Sequence, residues 1–148
     1  MRITACVAAL CLGLAGLAGA ATCTPSSVAS AAIGENACAF SKSGRRLGCL
    51  SNASACLNLT YWTEGRWIYA HEGHGPEPHV GAKRLSAGVW RVVDWPERTE
   101  LGLVVAANAK YTRWNIKNKR GALVATARGR DGPLMGLVLL LWGRSAFC

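Results

Sequence analysis

The chain has 148 residues, and its 17 lysines and arginines outnumber its 8 aspartates and glutamates, which gives a formal net charge of +9. This length suits one domain with a buried core, and the absence of internal repeats excludes a repeat architecture. The basic balance favours anionic partners and does not bear on the fold.

The first 20 residues are typical of a secretory signal peptide. Arg2 supplies an early positive charge, residues 3–17 are apolar, and residues 18–20 (Ala-Gly-Ala) are the small residues that signal peptidase requires. The apolar core is short and rich in Ala and Gly, which disfavours a transmembrane anchor. We therefore predict cleavage next to Ala20 and passage of the mature chain through the secretory pathway.

Five cysteines follow the signal peptide, and four of them lie close together. The clustered residues are Cys23, Cys38, Cys49 and Cys56, while Cys148 ends the sequence. In a secreted chain such a cluster predicts two disulfides among the four, in any of three pairings. Zinc is disfavoured because the spacing lacks a short C-x2-C unit. Cys148 is then free, joined to another chain, or exchanged into the cluster.

Two N-glycosylation motifs lie beside these cysteines. They are Asn52-Ala53-Ser54 and Asn58-Leu59-Thr60. Their surroundings are rich in Ser and Asn, which is typical of an exposed loop, so both asparagines are predicted to carry glycans. Residues 21–60 are accordingly interpreted as a cysteine-rich, glycosylated region.

From Leu57 onward, short segments rich in β-branched and aromatic residues recur with turn residues between them, and residues 61–133 are interpreted as an antiparallel β domain. In order they are LNLTYWT, RWIYAHE, AGVWRVVDW, TELGLVVAA, KYTRWNI and GALVATAR. Glu64-Gly65 predicts a tight hairpin between the first two. We predict a mainly β fold, a small antiparallel β-sandwich or barrel-like domain preceded by a disulfide-tied loop region. The tryptophans are interpreted as core and strand-face packing.

A basic stretch without acidic residues lies late in the chain. It comprises Lys110, Arg113, Lys117, Lys119, Arg120, Arg128 and Arg130. Three interpretations stay open: a solvated strand face, a patch for anionic membranes or polyanions, and a proteolytic site. Lys117, Lys119 and Arg120 resemble the basic sites cut by furin-type convertases. Nucleic acid is disfavoured because an exported, disulfide-bonded chain meets membranes and glycans instead.

All three histidines lie in the segment HEGHGPEPH. His71, His74 and His79, with neighbouring glutamates, form a candidate site for zinc or copper. The spacing differs from the H-E-x-x-H of zinc proteases, and Gly and Pro prevent a helix here. A flexible polar loop is the favoured interpretation, and we predict neither a cofactor nor a catalytic residue.

The apolar segment from Leu134 to Trp142 is nine residues long, too short to span a membrane as a helix. We consider two alternatives for residues 134–148. The segment is either a buried central strand or an export or membrane segment. In the second case Ala146-Phe147-Cys148 matches the signal-peptidase pattern, with processing after Cys148.

In its organisation the chain resembles an envelope-glycoprotein precursor segment of a flavivirus-like polyprotein. The shared features are the leading signal, clustered cysteines, N-linked sites, a basic cleavage-like site and an apolar end. The resemblance implies a second envelope glycoprotein or a host surface protein as partner, at a virion or membrane surface. We predict a non-catalytic, processed secretory glycoprotein. The alternatives are a free secreted β-rich binding or effector module and, third, a histidine-dependent hydrolase.

Overall fold

The computed structural model describes residues 37–73 and 75–148. The predictions for the signal peptide, for processing at Ala20, for Cys23 and for His74 lie outside these residues. Within them the strands are β1 (Cys38–Phe40), β2 (Arg46–Cys49), β3 (Leu59–Glu64), β4 (Trp67–Glu72), β5 (Val80–Ser86), β6 (Val89–Asp94), β7 (Glu100–Ala106), β8 (Arg113–Asn118) and β9 (Leu123–Arg128). The helices are α1 (Leu50–Leu57), α2 (Gly132–Trp142) and a 3-10 helix (Gly143–Phe147).

The strands form one antiparallel sheet with the order β2-β1-β9-β8-β7-β6-β5-β4-β3. Strands β3 to β9 follow one another as a meander, and β1 pairs with β9 to extend it. Helix α1 joins β2 to β3, the two edge strands, and packs against both. The predicted mainly β, antiparallel, barrel-like fold is confirmed. The predicted hairpin is also present, with Gly65 and Arg66 between the paired residues Glu64 and Trp67.

Helix α2 fills the inside of the curved sheet. It contacts β1 and each strand from β5 to β9, so the sheet wraps around it. The strand residues buried on this face range from small to large: Ala39 and Ala82 are fully buried, and so are Val92, Val104 and Ile116. Small side chains let a helix lie close to a sheet. A Cβ on Gly136 would overlap the side chain of Val104, and a Cβ on Gly132 would overlap the ring of Trp114.

The expectation of a central strand at residues 134–142 is wrong, because these residues lie in α2. Residues 132–139 are all buried. A helix that is covered on every side needs no polar face, so its sequence lacks the helical periodicity that distinguishes it from a buried strand. Among the described residues, no helix combines the length and apolarity needed to cross a bilayer.

Residues 50–57 also differ from expectation, since the predicted loop is helix α1. Asn52 accepts a hydrogen bond at Oδ1 from the backbone N–H of Cys49, at 2.8 Å, and so stabilises the first turn. Asn58 ends the helix in the left-handed region, with φ 52°. Both asparagines are exposed. Their glycosylation stays a prediction.

The structure pairs Cys38 with Cys49 and Cys56 with Cys148. The expectation that Cys56 pairs within the N-terminal cluster is therefore wrong, and of the three alternatives for Cys148 the structure shows its exchange into the pairing of the clustered cysteines. The reason is topological, because the 3-10 helix after α2 returns to pack against α1. Disulfides of this kind indicate an oxidising, extracellular or secretory environment.

Candidate binding surface on the outer face of the sheet

Side chains alternate between the two faces of each strand. In β4, Ile68 and Ala70 face the core, so Trp67, Tyr69 and His71 lie on the outer face. The outer face continues onto the neighbouring strands, because Tyr69 is the cross-strand partner of Trp62 in β3 and of Gly81 in β5. The outer face of β3 to β5 is therefore aromatic where solvent-facing sheet surfaces are usually polar.

Four aromatic rings form a cluster on this face, which we call the aromatic cluster. Its members are Trp62, Trp67, Tyr69 and Trp95, all half-buried. Trp67 and Tyr69 stack with centroids 5.5 Å apart and planes 6° apart. Trp95 meets both rings edge-on, at 5.8 and 5.4 Å. Trp62 lies 5.6 Å from Tyr69. These are favourable aromatic geometries, so the rings hold one another in place outside the core.

Gly81 provides the space that the aromatic cluster occupies. A Cβ at this position would lie 3.1 Å from both the Trp67 and the Tyr69 ring. Any larger residue would lift the two rings away from the sheet. The rings that lie over β5 therefore explain why residue 81 is a glycine.

Charged groups surround the aromatic cluster. The guanidinium of Arg98 lies 4.4 Å from the Trp95 centroid, and Nζ of Lys83 lies 5.9 Å from that of Trp67. Both are cation–π contacts. Partial burial, and then the carboxylate of Glu64, raise the pKa of Tyr69 above 10.0, against an opposing effect of Arg98. The phenol consequently stays protonated and can donate a hydrogen bond at physiological pH.

The two described histidines of the predicted metal site stack on each other beside this cluster. The rings of His71 and His79 have centroids 4.1 Å apart and planes 22° apart. Nearly parallel rings do not direct their nitrogen lone pairs at one ion. Nδ1 of His79 already accepts a hydrogen bond from the N–H of Glu72, at 3.2 Å. Among described residues, no three His, Cys, Asp or Glu side chains form a group suited to a metal.

The predicted basic stretch is divided among three places. Arg113, Lys117 and Arg128 lie on the outer face of β8 and β9, because Trp114, Ile116 and Ala127 are buried on the inner face. Lys119 and Arg120 are exposed in the β8–β9 turn. Lys110 and Arg130 are exposed in loops. Cutting at the convertase-like site stays a prediction.

A separate depression of about 480 Å³ lies beside the C-terminal end of α2. It is lined by Ser41, Lys42, Ser43, Arg45, Leu47, Val124, Ala125, Leu139, Gly143 and Arg144. Its polar groups are basic or hydroxylic and its floor is apolar. No pair of acid and base lies in it, so it offers no arrangement for proton transfer.

The aromatic cluster was missed as a site in the sequence. The segment RWIYAHE is apolar at both alternating sets of positions, so its pattern cannot decide which set faces the core. Trp114, which is 4 % exposed, confirms the core interpretation for one tryptophan. The sequence signal for the cluster is the combination of two large aromatic residues in β4, Trp67 and Tyr69, with a glycine, Gly81, in the next strand.

Comparison with known proteins yields no matching family model, no matching curated protein and no matching solved structure.

Proposed function

We propose that this protein is a secreted, non-catalytic binding module that holds an extracellular glycan on the aromatic cluster. The observation that carries the proposal is the position of Trp62, Trp67, Tyr69 and Trp95, which lie together on the outer face of the sheet and away from α2. The proposal corresponds to the free secreted binding module considered for the sequence.

Aromatic side chains gain most from burial, so several of them grouped at a surface indicate a place that a partner covers. Burying the remaining exposed area of one such ring contributes up to about 1.5–3 kcal/mol. Within the described residues the four rings remain half-buried, and a ligand on the outer face would complete their burial.

A glycan suits the mixture of groups at this surface. Sugar rings present apolar C–H faces that pack on aromatic rings, and hydroxyls that need hydrogen-bond partners. Lys83, Arg98, Glu64 and the Tyr69 hydroxyl supply donors and acceptors around the aromatic cluster. A disulfide-bonded chain in an oxidising compartment meets glycans as its commonest polymer surface.

The test is binding to a panel of oligosaccharides, both neutral and acidic. Trp67→Ala and Trp95→Ala should each weaken binding at least about tenfold, since 1.4 kcal/mol corresponds to a factor of ten. The control is Tyr111→Asn, which removes a 45 % exposed ring outside the cluster and keeps a residue that tolerates its φ of 55°. Thermal melts establish that each variant is folded.

Equal losses in Trp67→Ala and Tyr111→Asn would contradict the proposal, as would a wild-type protein that binds no member of the panel. A protein partner, which the envelope-precursor hypothesis requires, stays a prediction. It would be supported over a glycan if Trp67→Ala abolished binding to a purified surface protein whose glycans had been removed.

A further inference from the structure

A row of five cross-strand neighbours, three of them basic, begins at the aromatic cluster and runs across the sheet. The cross-strand partners in this row are Trp67, Lys83, Arg91, Leu103 and Lys117, one on each strand from β4 to β8. We call these five residues the cationic row. Adjacent strands are about 4.8 Å apart, so four steps between strands give a length of roughly 19 Å.

The cationic row contains little negative charge of its own. Glu64 pairs with Trp67 at the β3 end. Glu100 lies beside Arg91, with 3.9 Å between Oε1 and Nε, and both side chains are nearly half exposed. Such an exposed pair contributes little free energy and readily exchanges a partner. Three cations thus remain available to an anionic ligand along the row.

A second feature of the same face indicates an anion. Arg113 and Arg128 are direct cross-strand partners on β8 and β9, four residues along β8 from Lys117. Like charges placed opposite each other destabilise a sheet. The guanidinium of Arg128 lies 4.8 Å from the centroid of Phe40, so it is held on this face by a cation–π contact. An anionic group bound at this pair, which lies beside the Lys117 end of the row and not in it, would remove the repulsion.

We infer that the glycan held by this face is anionic, a polymer with carboxylate or sulfate groups, and that it lies along the cationic row from Trp67 to Lys117. This inference rests on the proposed function and specifies its ligand. The rings hold one end of the chain, and Lys83, Arg91 and Lys117 neutralise successive anionic groups along it.

The shape of the face favours a flexible chain over a membrane. Because the sheet curves around α2, its outer face is convex. A flat bilayer would contact only part of a convex surface, whereas a polysaccharide can follow it. The cationic row also lies across the strands and ends at rings, which a diffuse membrane-binding patch does not require.

The experiment measures binding of a sulfated oligosaccharide, a uronate oligosaccharide and a neutral oligosaccharide of equal length at several salt concentrations. Lys83→Gln/Lys117→Gln should lose on the order of tenfold or more in affinity for the two acidic ligands. For this variant the slope of log K against log salt should be shallower than for wild type, because two fewer cations displace counterions from the ligand. The control, Lys42→Gln/Arg144→Gln, removes the same charge at the depression and should leave the slope unchanged.

The outcomes separate this inference from the proposed function. If Trp67→Ala abolishes binding while neutral and acidic ligands bind equally, the glycan-binding proposal survives and the anionic inference is overturned. Equal losses in the two charge variants would overturn it as well, because attraction would then be a property of net charge. Phosphatidylserine vesicles that bind more tightly than the acidic oligosaccharides, and lose that binding in Lys83→Gln/Lys117→Gln, would make the ligand a membrane.

Discussion

Individual residues decide how closely α2 and the sheet approach each other. Gly136 packs on Val104, and Gly132 packs on the ring of Trp114, where a Cβ would overlap its neighbours. A glycine inside a helix normally costs about 1 kcal/mol relative to alanine. Its presence at these two positions is explained by the space that the sheet residues occupy.

Gly136→Ala should destabilise the protein despite the better helix propensity of alanine. The added Cβ would overlap Cγ2 of Val104, which is fully buried and stiff at χ1. Overpacking of this kind costs about 1–3 kcal/mol, more than the gain in propensity. Urea denaturation measures the difference. The double variant Gly136→Ala/Val104→Ala should lose less than the sum of the two single losses, because the residues are in contact. A Gly136→Ala variant as stable as wild type would show that α2 lies farther from β7.

Asp131 gives the fold a dependence on pH. Burial, opposed by Arg130, raises its pKa above 3.8, and its side chain makes no capping hydrogen bond to α2. A carboxyl with a raised pKa in the folded state favours folding when protonated, so its contribution is present below 3.8 and is lost as the pH rises through the folded pKa.

Asp131→Asn should therefore raise the melting temperature at neutral pH, with the gain disappearing below pH 3.8. Melting curves between pH 3 and 7 provide the measurement. Glu97→Gln, which removes one exposed negative charge, serves as the control. An equal gain in both variants, or a gain that is independent of pH, would contradict the role assigned to burial.

At the scale of elements, two disulfides close loops of very different length. Cys38 and Cys49 are 11 residues apart, whereas Cys56 and Cys148 are 92 apart and fasten the 3-10 helix to α1. On the chain-entropy model the stabilisation is about 3 kcal/mol for the short loop and about 4–5 kcal/mol for the long one. The long-range disulfide should matter more.

Cys56→Ser/Cys148→Ser should accordingly lower the free energy of unfolding by more than Cys38→Ser/Cys49→Ser. Chemical denaturation of both double variants measures this, and non-reducing peptide mapping of wild type checks the pairings themselves. A peptide that joins Cys56 to Cys38 or Cys49 would disprove the described topology.

The sequence predicted the strands whose residue pattern is typical of a strand and not of a helix. Strands β3, β4 and β6 to β9 alternate or are rich in β-branched residues, and turn residues separate them. Strands β1 and β2 lie in the region predicted as a disulfide-tied loop, and strand β5 was also missed. In β5, Gly81, Ala82 and Lys83 have low strand propensity and are fixed by their neighbours instead. Helix α2 and the Cys56–Cys148 disulfide depend on contacts between distant parts of the chain, which local patterns do not contain.

In the molecule as a whole, the inner face of the sheet forms the core and the outer face carries the proposed binding surface. The inner face closes on α2, and its buried side chains form the hydrophobic core of the described residues. The outer face carries large rings over Gly81 and cations in a row, where neither contributes to that core. Inner-face residues therefore determine stability, and outer-face residues of the same strands determine the proposed binding. Substitutions such as Lys117→Gln should leave stability nearly unchanged.

The most direct test of this account is an NMR titration of the labelled protein with a sulfated oligosaccharide. We expect the largest shifts in the indole N–H signals of Trp67 and Trp95 and in the backbone amides of Lys83, Arg91 and Lys117. The indole of Trp114, which donates a 2.9 Å hydrogen bond to the carbonyl of Gly129 in the core, should not move. Shifts centred on Lys42, Arg45 and Arg144, with the Trp67 and Trp95 signals unchanged, would place binding at the depression and contradict the account.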